Sequence, residues 1–189
     1  MNTETDLEKA KKMYFDYGQG SFHMGREGIL KKYQSFNISS ETEKGWTNSY
    51  LNEKLDNFDF YALDENFQTF YIISTKREFN FLYHFLLKII KTLDSLTNKY
   101  IAVTLGRNLF HMVLEAHSKG DILLEHRLSV IRTVELIHKK ARTLSIPQNY
   151  KNSHFEKKYF EEKLTLEQYT EQEMIKLEFD LFKVNMLKK

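Results

Sequence analysis

The sequence predicts an all-α protein, a single-domain bundle of roughly seven or eight helices, on three observations. Apolar residues recur at helical spacing through most of the 189 residues. Element breakers are scarce and concentrated: the single proline is Pro147, and four of the seven glycines, Gly18, Gly20, Gly25 and Gly28, share one short segment. A chain of this length also buries about 70% of its unfolded surface unaided, and it contains no cysteine with which to staple a smaller core.

Thr5 to Tyr17 reads as a short amphipathic helix, with Leu7, Ala10, Tyr14 and Tyr17 on one side and the glycine segment as its stop. Gly28 to Phe36 forms a second helical stretch. It leads to Ser39 or Ser40, where Ser40 followed by Glu43 has capping-box spacing and opens a helix through Trp46, Tyr50 and Leu55. Phe70, Tyr71, Ile72, Ile73 and Thr75 have strand-like composition, but the charges flanking them suit a helix, and Phe58 to Thr75 is read as one. From Glu78 to Leu96, the residues Phe79, Leu82, Tyr83, Phe85, Leu86, Ile89, Ile90, Leu93 and Leu96 cover one arc and polar residues cover the other. Thr97 is the expected cap of the next helix, Tyr100 to His117, which is apolar around more than half its circumference and so marks the centre of the bundle. Gly120 and Asp121 turn the chain into Ile122 to Leu144, which ends near Pro147.

Beyond a polar linker the chain continues as a charged helical extension, where Thr165 and Gln168 again have capping-box spacing. In the last segment Ile175, Leu177, Phe179 and Leu181 alternate with Lys176, Glu178 and Asp180, as in a half-buried strand. A minor two-stranded sheet pairing residues 68–75 with 174–182 is therefore the alternative topology. A solenoid-like stack of helix pairs is a second variant. The expected organisation of the single domain 1–189 is N-terminal helices with a Gly-rich loop (1–57), core helices (78–145) and a C-terminal helical extension (153–189).

Composition bounds function. Twenty-eight Lys and Arg against twenty-six Asp and Glu leave a net charge of +2, far from the basic excess of a protein that holds phosphate backbones. Nucleic acid is not an expected partner, although Lys9, Lys11, Lys12, Lys31 and Lys32 are the residues that would supply a patch. Without cysteine, thiol catalysis, Cys-ligated zinc and iron–sulfur clusters are excluded. Met1 to Met13 is polar, and the longest apolar stretch, Phe79 to Ile90, is interrupted and too short to span a bilayer. The expected compartment is the cytoplasm, with no membrane partner. Abundant Lys, Asn, Ile, Phe and Tyr suggest an A+T-rich genome and a bacterial source.

Three groups of residues are candidates for function. In the glycine segment, His23, Arg26 and Glu27 would face a ligand or partner from a loop anchored by Phe22 and Met24; the spacing fits neither a Walker motif nor a dinucleotide fingerprint. On the central helix, Thr104, Arg107, Asn108, His111 and Glu115 form a polar stripe on an apolar cylinder, either facing solvent or flooring a groove where a His beside a carboxylate could move protons or an Arg hold an anion. On the following helix, Glu135 and His138 have the Glu-x-x-His spacing of di-iron bundles, but the second copy such a site needs is missing. No metal or cofactor is expected, and Glu135, His138 and Arg127 should form a buried, hydrogen-bonded group.

Arg132 to His138 also resembles the Arg-polar-x4-His signature of HEPN-domain ribonucleases, with Thr133 where that family usually carries Asn, His, Asp or Gln. The resemblance covers seven residues and implies a dimeric helical ribonuclease with Arg132 and His138 as the catalytic pair. In an uninterrupted helix the two lie about 120° apart. The leading expectation is instead a non-enzymatic, soluble binding protein acting by protein–protein contact, since Tyr and Phe together supply twenty-six residues of the kind that anchor interfaces. A bacterial immunity protein, antitoxin or regulator would be its form, the partner another protein, with a homodimer left open.

Overall fold

Several helices begin at hydrogen bonds that the sequence offers locally. In the computed structural model, which describes residues 5–17, 21–118, 124–148, 150 and 164–186, Thr5 and Glu8 form a reciprocal capping box at the start of α1 (Asp6–Asp16). The short helices α2 (Ser21–Arg26) and α3 (Leu30–Gln34) follow, then α4 (Ser40–Asp56). The cap of α4 is Ser39, whose hydroxyl accepts from the Thr42 N–H at 3.1 Å, one residue earlier than the Ser40 box. Next come α5 (Leu63–Lys76), α6 (Phe79–Thr92) running into a 3-10 turn, α7 (Lys99–Ser118), α8 (Leu124–Ala141) and α9 (Leu166–Met186).

The described residues thus hold nine α-helices and no strand, and an all-helical bundle is the fold. One helix more than expected arises in the glycine segment, where Ser21–Arg26 is helical rather than a loop and Gly28, at φ 75°, makes the left-handed turn that ends it. The alternative sheet does not form: residues 68–75 lie in α5 and 174–182 in α9. The end of α5 carries no glycine signal, since Arg77 adopts the left-handed conformation at φ 59° and its N–H bonds back to Ile73 and Ser74.

The chain divides into two compact units, Met1–Asn57 and Phe58–Lys189. The N-terminal unit is built on aromatic rings. Ala10, Tyr14, Met24 and Tyr33 are its buried centre, with Tyr14 stacked on Tyr33 and tilted against Trp46. Because buried phenols need partners, the Tyr14 hydroxyl bonds Thr47 Oγ1 at 2.9 Å and the Tyr33 hydroxyl donates to Glu43 at 2.6 Å. Burial and that carboxylate push the Tyr33 phenol well above its ordinary pKa.

The C-terminal unit is organised around α7, which packs against α5, α8 and α9. Tyr100, Ile101, Ala102, Val103, Leu105, Leu109, Phe110 and Met112 of α7 are all buried, as expected for a central helix. Its close approach to α9 depends on Gly106: a Cβ there would stand 3.0 Å from Leu177 Cδ2. The start of α7 is capped by the buried Asn98, not Thr97, with Asn98 Oδ1 accepting from the Tyr100 N–H at 2.9 Å. Thr97 Oγ1 bonds the Tyr61 hydroxyl instead. Asn98 also forms an isolated bridge with Ser145, after α8, through the Lys99 N–H to the Ser145 carbonyl at 3.1 Å.

Candidate functional site

The polar stripe of α7 is covered in part: Thr104, Arg107 and Asn108 are half-buried, and His111 is exposed. α9 lies along it, so the stripe becomes the wall of a polar seam between two helices. Arg107 Nη1 donates to Asp180 at 2.7 Å, and its Nε lies 3.2 Å from the Glu173 carboxylate. Its side chain is only 16% exposed, so the pairing matters: a largely desolvated guanidinium without carboxylates would be costly. A cleft of about 330 Å³ opens beside this cluster, lined by Thr104, Arg107, Asn108, His111, Tyr169 and Glu173 among others. That volume is at the small end of ligand clefts.

The electrostatics limit what this cleft can do. Arg107 and Lys176, which bonds Glu173 Oε1 at 2.7 Å, balance the two carboxylates, so Arg107 is already consumed as an anion anchor. Desolvation and then the Arg107 cation hold the His111 imidazole below its ordinary pKa, against the opposing pull of Asp180 and Glu173. His111 is therefore neutral at pH 7. The last member of the stripe, Glu115, has its side chain outside the described residues, and the expected His111–Glu115 couple lies there with it. The residues that complete the seam, Glu173 and Asp180, are absent from the sequence-based candidates. Their one signal is the seven-residue spacing that places both on one helical face, visible once the segment is read as helix.

The other candidates belong to other helices or their ends. In the N-terminal unit, Arg26 and Glu27 are exposed and pair with each other at 3.0 Å, while His23 is half-buried. Met24 anchors its segment in the core as expected; the side chain of Phe22 lies outside the described residues. On α8, Arg132 is exposed and His138 is buried, so the two residues of the HEPN-like signature face different surroundings within one chain. The buried ion-pair expectation for His138 also needs correcting, because its Nε2 is buried with no hydrogen-bond partner. Burial and the nearby Arg142 lower its pKa, opposed by Glu178. Among the described residues no three His, Asp or Glu side chains converge as a metal site would require, and no helix is long and apolar enough to cross a membrane.

The least expected feature is the outer face of α9. Its inner face, Met174, Leu177, Leu181 and Val184, is buried. On the opposite side Ile175, Phe179 and Phe182 are 59%, 56% and 60% exposed. At 100° per residue these three fall within an arc of about 60°, forming one continuous stripe. Tyr83 and Ile90 of α6, expected in its packed arc, are exposed instead because they lie at the edge of that arc, two turns apart, which is ordinary for a protein surface. Comparison of the chain with protein-family models, with curated proteins and with solved structures returns no match.

Proposed function

We propose that this chain is a non-enzymatic binding protein that acts through protein–protein contact, with the outer face of α9 as its contact surface. The observation that carries the reading is the stripe Ile175, Phe179 and Phe182, three large apolar side chains left more than half exposed on a helix whose other face already fills the core. Removing such a stripe from water is the main driving force for association, and anchors at i, i+4 and i+7 are the pattern by which one helix lies against another. The surface selects a partner of particular chemistry: an apolar helical face whose edges carry charge, since acidic Glu171 and Glu178 border the stripe on one side and basic Lys176 and Lys183 on the other. The seam at Arg107 contributes by fixing α9 in place, so little ordering entropy is lost on binding.

Native mass spectrometry of the chain purified from its own host, run beside a Phe179→Asp variant, tests this reading. A stoichiometric protein complex that disappears in the variant supports it, and the identity of the partner decides between immunity, antitoxin and regulatory roles. A complex that survives the substitution, or a bare monomer in both samples, overturns it. Ribonuclease activity lost on Arg132→Ala with the fold intact would transfer the function to the HEPN-like pair.

A further inference from the structure

We infer that the partner on the outer face of α9 is a second copy of this chain, the two α9 helices lying parallel about a two-fold axis; this rests on the contact surface proposed above. The inference comes from the register of charge around the stripe. Ile175, Phe179 and Phe182 are spaced four and three residues apart, as at the alternating d, a and d positions of a heptad, and the same register puts Gln168 at d and Gln172 at a. It then places Glu171 and Glu178 at successive g positions, and Lys176 and Lys183 at successive e positions.

This arrangement discriminates orientation. When two helices pair in parallel, the g edge of one faces the e edge of the other, so Glu171 meets Lys176 of the second copy and Glu178 meets its Lys183. Both copies satisfy the rule at once, giving four complementary contacts. Antiparallel pairing would set g against g and e against e, opposing Glu to Glu and Lys to Lys, which is repulsive. The charged side chains that border the stripe are accessible to a second copy, Glu171, Glu178 and Lys176 each being about half exposed. Lys99 bonds Oε2 of Glu171 at 2.7 Å, Arg142 bonds Oε1 of Glu178, and Lys176 bonds Oε1 of Glu173 at 2.7 Å. Each carboxylate has a second oxygen that can accept from a further cation, and the Lys176 ammonium has further donors. Lys183 lies over the Phe179 ring at 4.2 Å, holding its charge at the border of the stripe. Since α9 is already folded on α7 and α8, pairing need not form the helix, which removes the usual demand for a long heptad array. With three large apolar side chains per copy the interface is small, and the dimer is expected to dissociate in the micromolar range.

The absence of cysteine gives a clean test. Sedimentation equilibrium of the full chain across a micromolar concentration series should show conversion to twice the chain mass, and Phe179→Asp should remain a monomer with an unchanged far-UV circular dichroism spectrum. Gln172→Cys should cross-link to its own counterpart on mild oxidation, because parallel pairing brings each position to its counterpart, whereas antiparallel pairing about the centre of the stripe carries Gln172 away from its own. The double variants Glu171→Lys with Glu178→Lys, and Lys176→Glu with Lys183→Glu, should each lose association at least about tenfold alone and recover it when mixed. A wild-type chain that stays monomeric throughout overturns the second-copy inference and leaves the protein-contact reading to the native complex. A dimer unaffected by Phe179→Asp overturns both. A dimer that Phe179→Asp dissolves but that neither cross-links at Gln172→Cys nor recovers on mixing overturns the parallel pairing.

Discussion

The two faces of α9 are alike in hydrophobicity and opposite in fate. Leu177 and Leu181 on the inner face are buried against the bundle, while Ile175 and Phe179, one turn apart on the outer face, stand in water. What differs is the border. The inner face is flanked by Glu173 and Asp180, which reach across to Arg107 and lock the helix in position. The outer face is flanked by one acidic and one basic row whose partners within the chain take up only part of their capacity. Apolar area drives burial without saying against what; the charged edges decide whether the burial happens within a chain or between chains.

The comparison predicts an ordered set of effects. Leu177→Ala, on the inner face, should cost about 2–5 kcal/mol of stability in urea unfolding, because the cavity opens where α7 and α9 are closest at Gly106. An effect below the noise would place the core elsewhere. Arg107→Met should cost about 1–3 kcal/mol by leaving Asp180 without its donor and Glu173 with Lys176 alone, with Asp180→Asn partly restoring stability in the double variant. Acidification should weaken the fold as well. The folded-state pKa values of His138 and His111 are depressed, so the unfolded chain takes up these protons at higher pH than the native chain does. Their contribution is fully present above the ordinary imidazole range and is lost as pH falls through it, from about 6.5 downward. The urea midpoint should drop on that limb, and His138→Leu should flatten the drop. Smallest of all, Phe179→Ser should shift monomer stability by less than about 0.5 kcal/mol, although the same residue anchors association. A large loss of stability there would show the outer face to be covered within the chain.

The same two-faced helix explains which parts of the molecule are legible in its sequence. α6 and α7 are legible because each presents a broad apolar arc at a period only a helix can satisfy. Residues 175–181 are ambiguous for a physical reason: with Leu177 and Leu181 inward and Ile175 and Phe179 outward, two opposed helical faces produce the odd-numbered alternation of a strand. While that segment is unassigned, Glu173 and Asp180 cannot be matched to Arg107, and the seam shows in the sequence only as a lone stripe on α7. Caps shift by one residue where neighbours compete, as Thr97 and Asn98 do, and only the tertiary bond of Thr97 to Tyr61 decides between them. The left-handed Arg77 at the end of α5 gives no signal at all, since glycine usually marks that position.

The bridge between Asn98 and Ser145 ties the beginning of α7 to the chain just past the end of α8, so this helical hairpin is fastened at the end opposite its own connection. Such a closed hairpin cannot fray from its open end. Its interior amides, around Leu105 on α7 and Val134 on α8, are expected to exchange with solvent only when the whole C-terminal unit opens, while those of α9 exchange through a smaller, separate opening. The hairpin is then the slowest clock in the molecule, and α9 a faster one set against it.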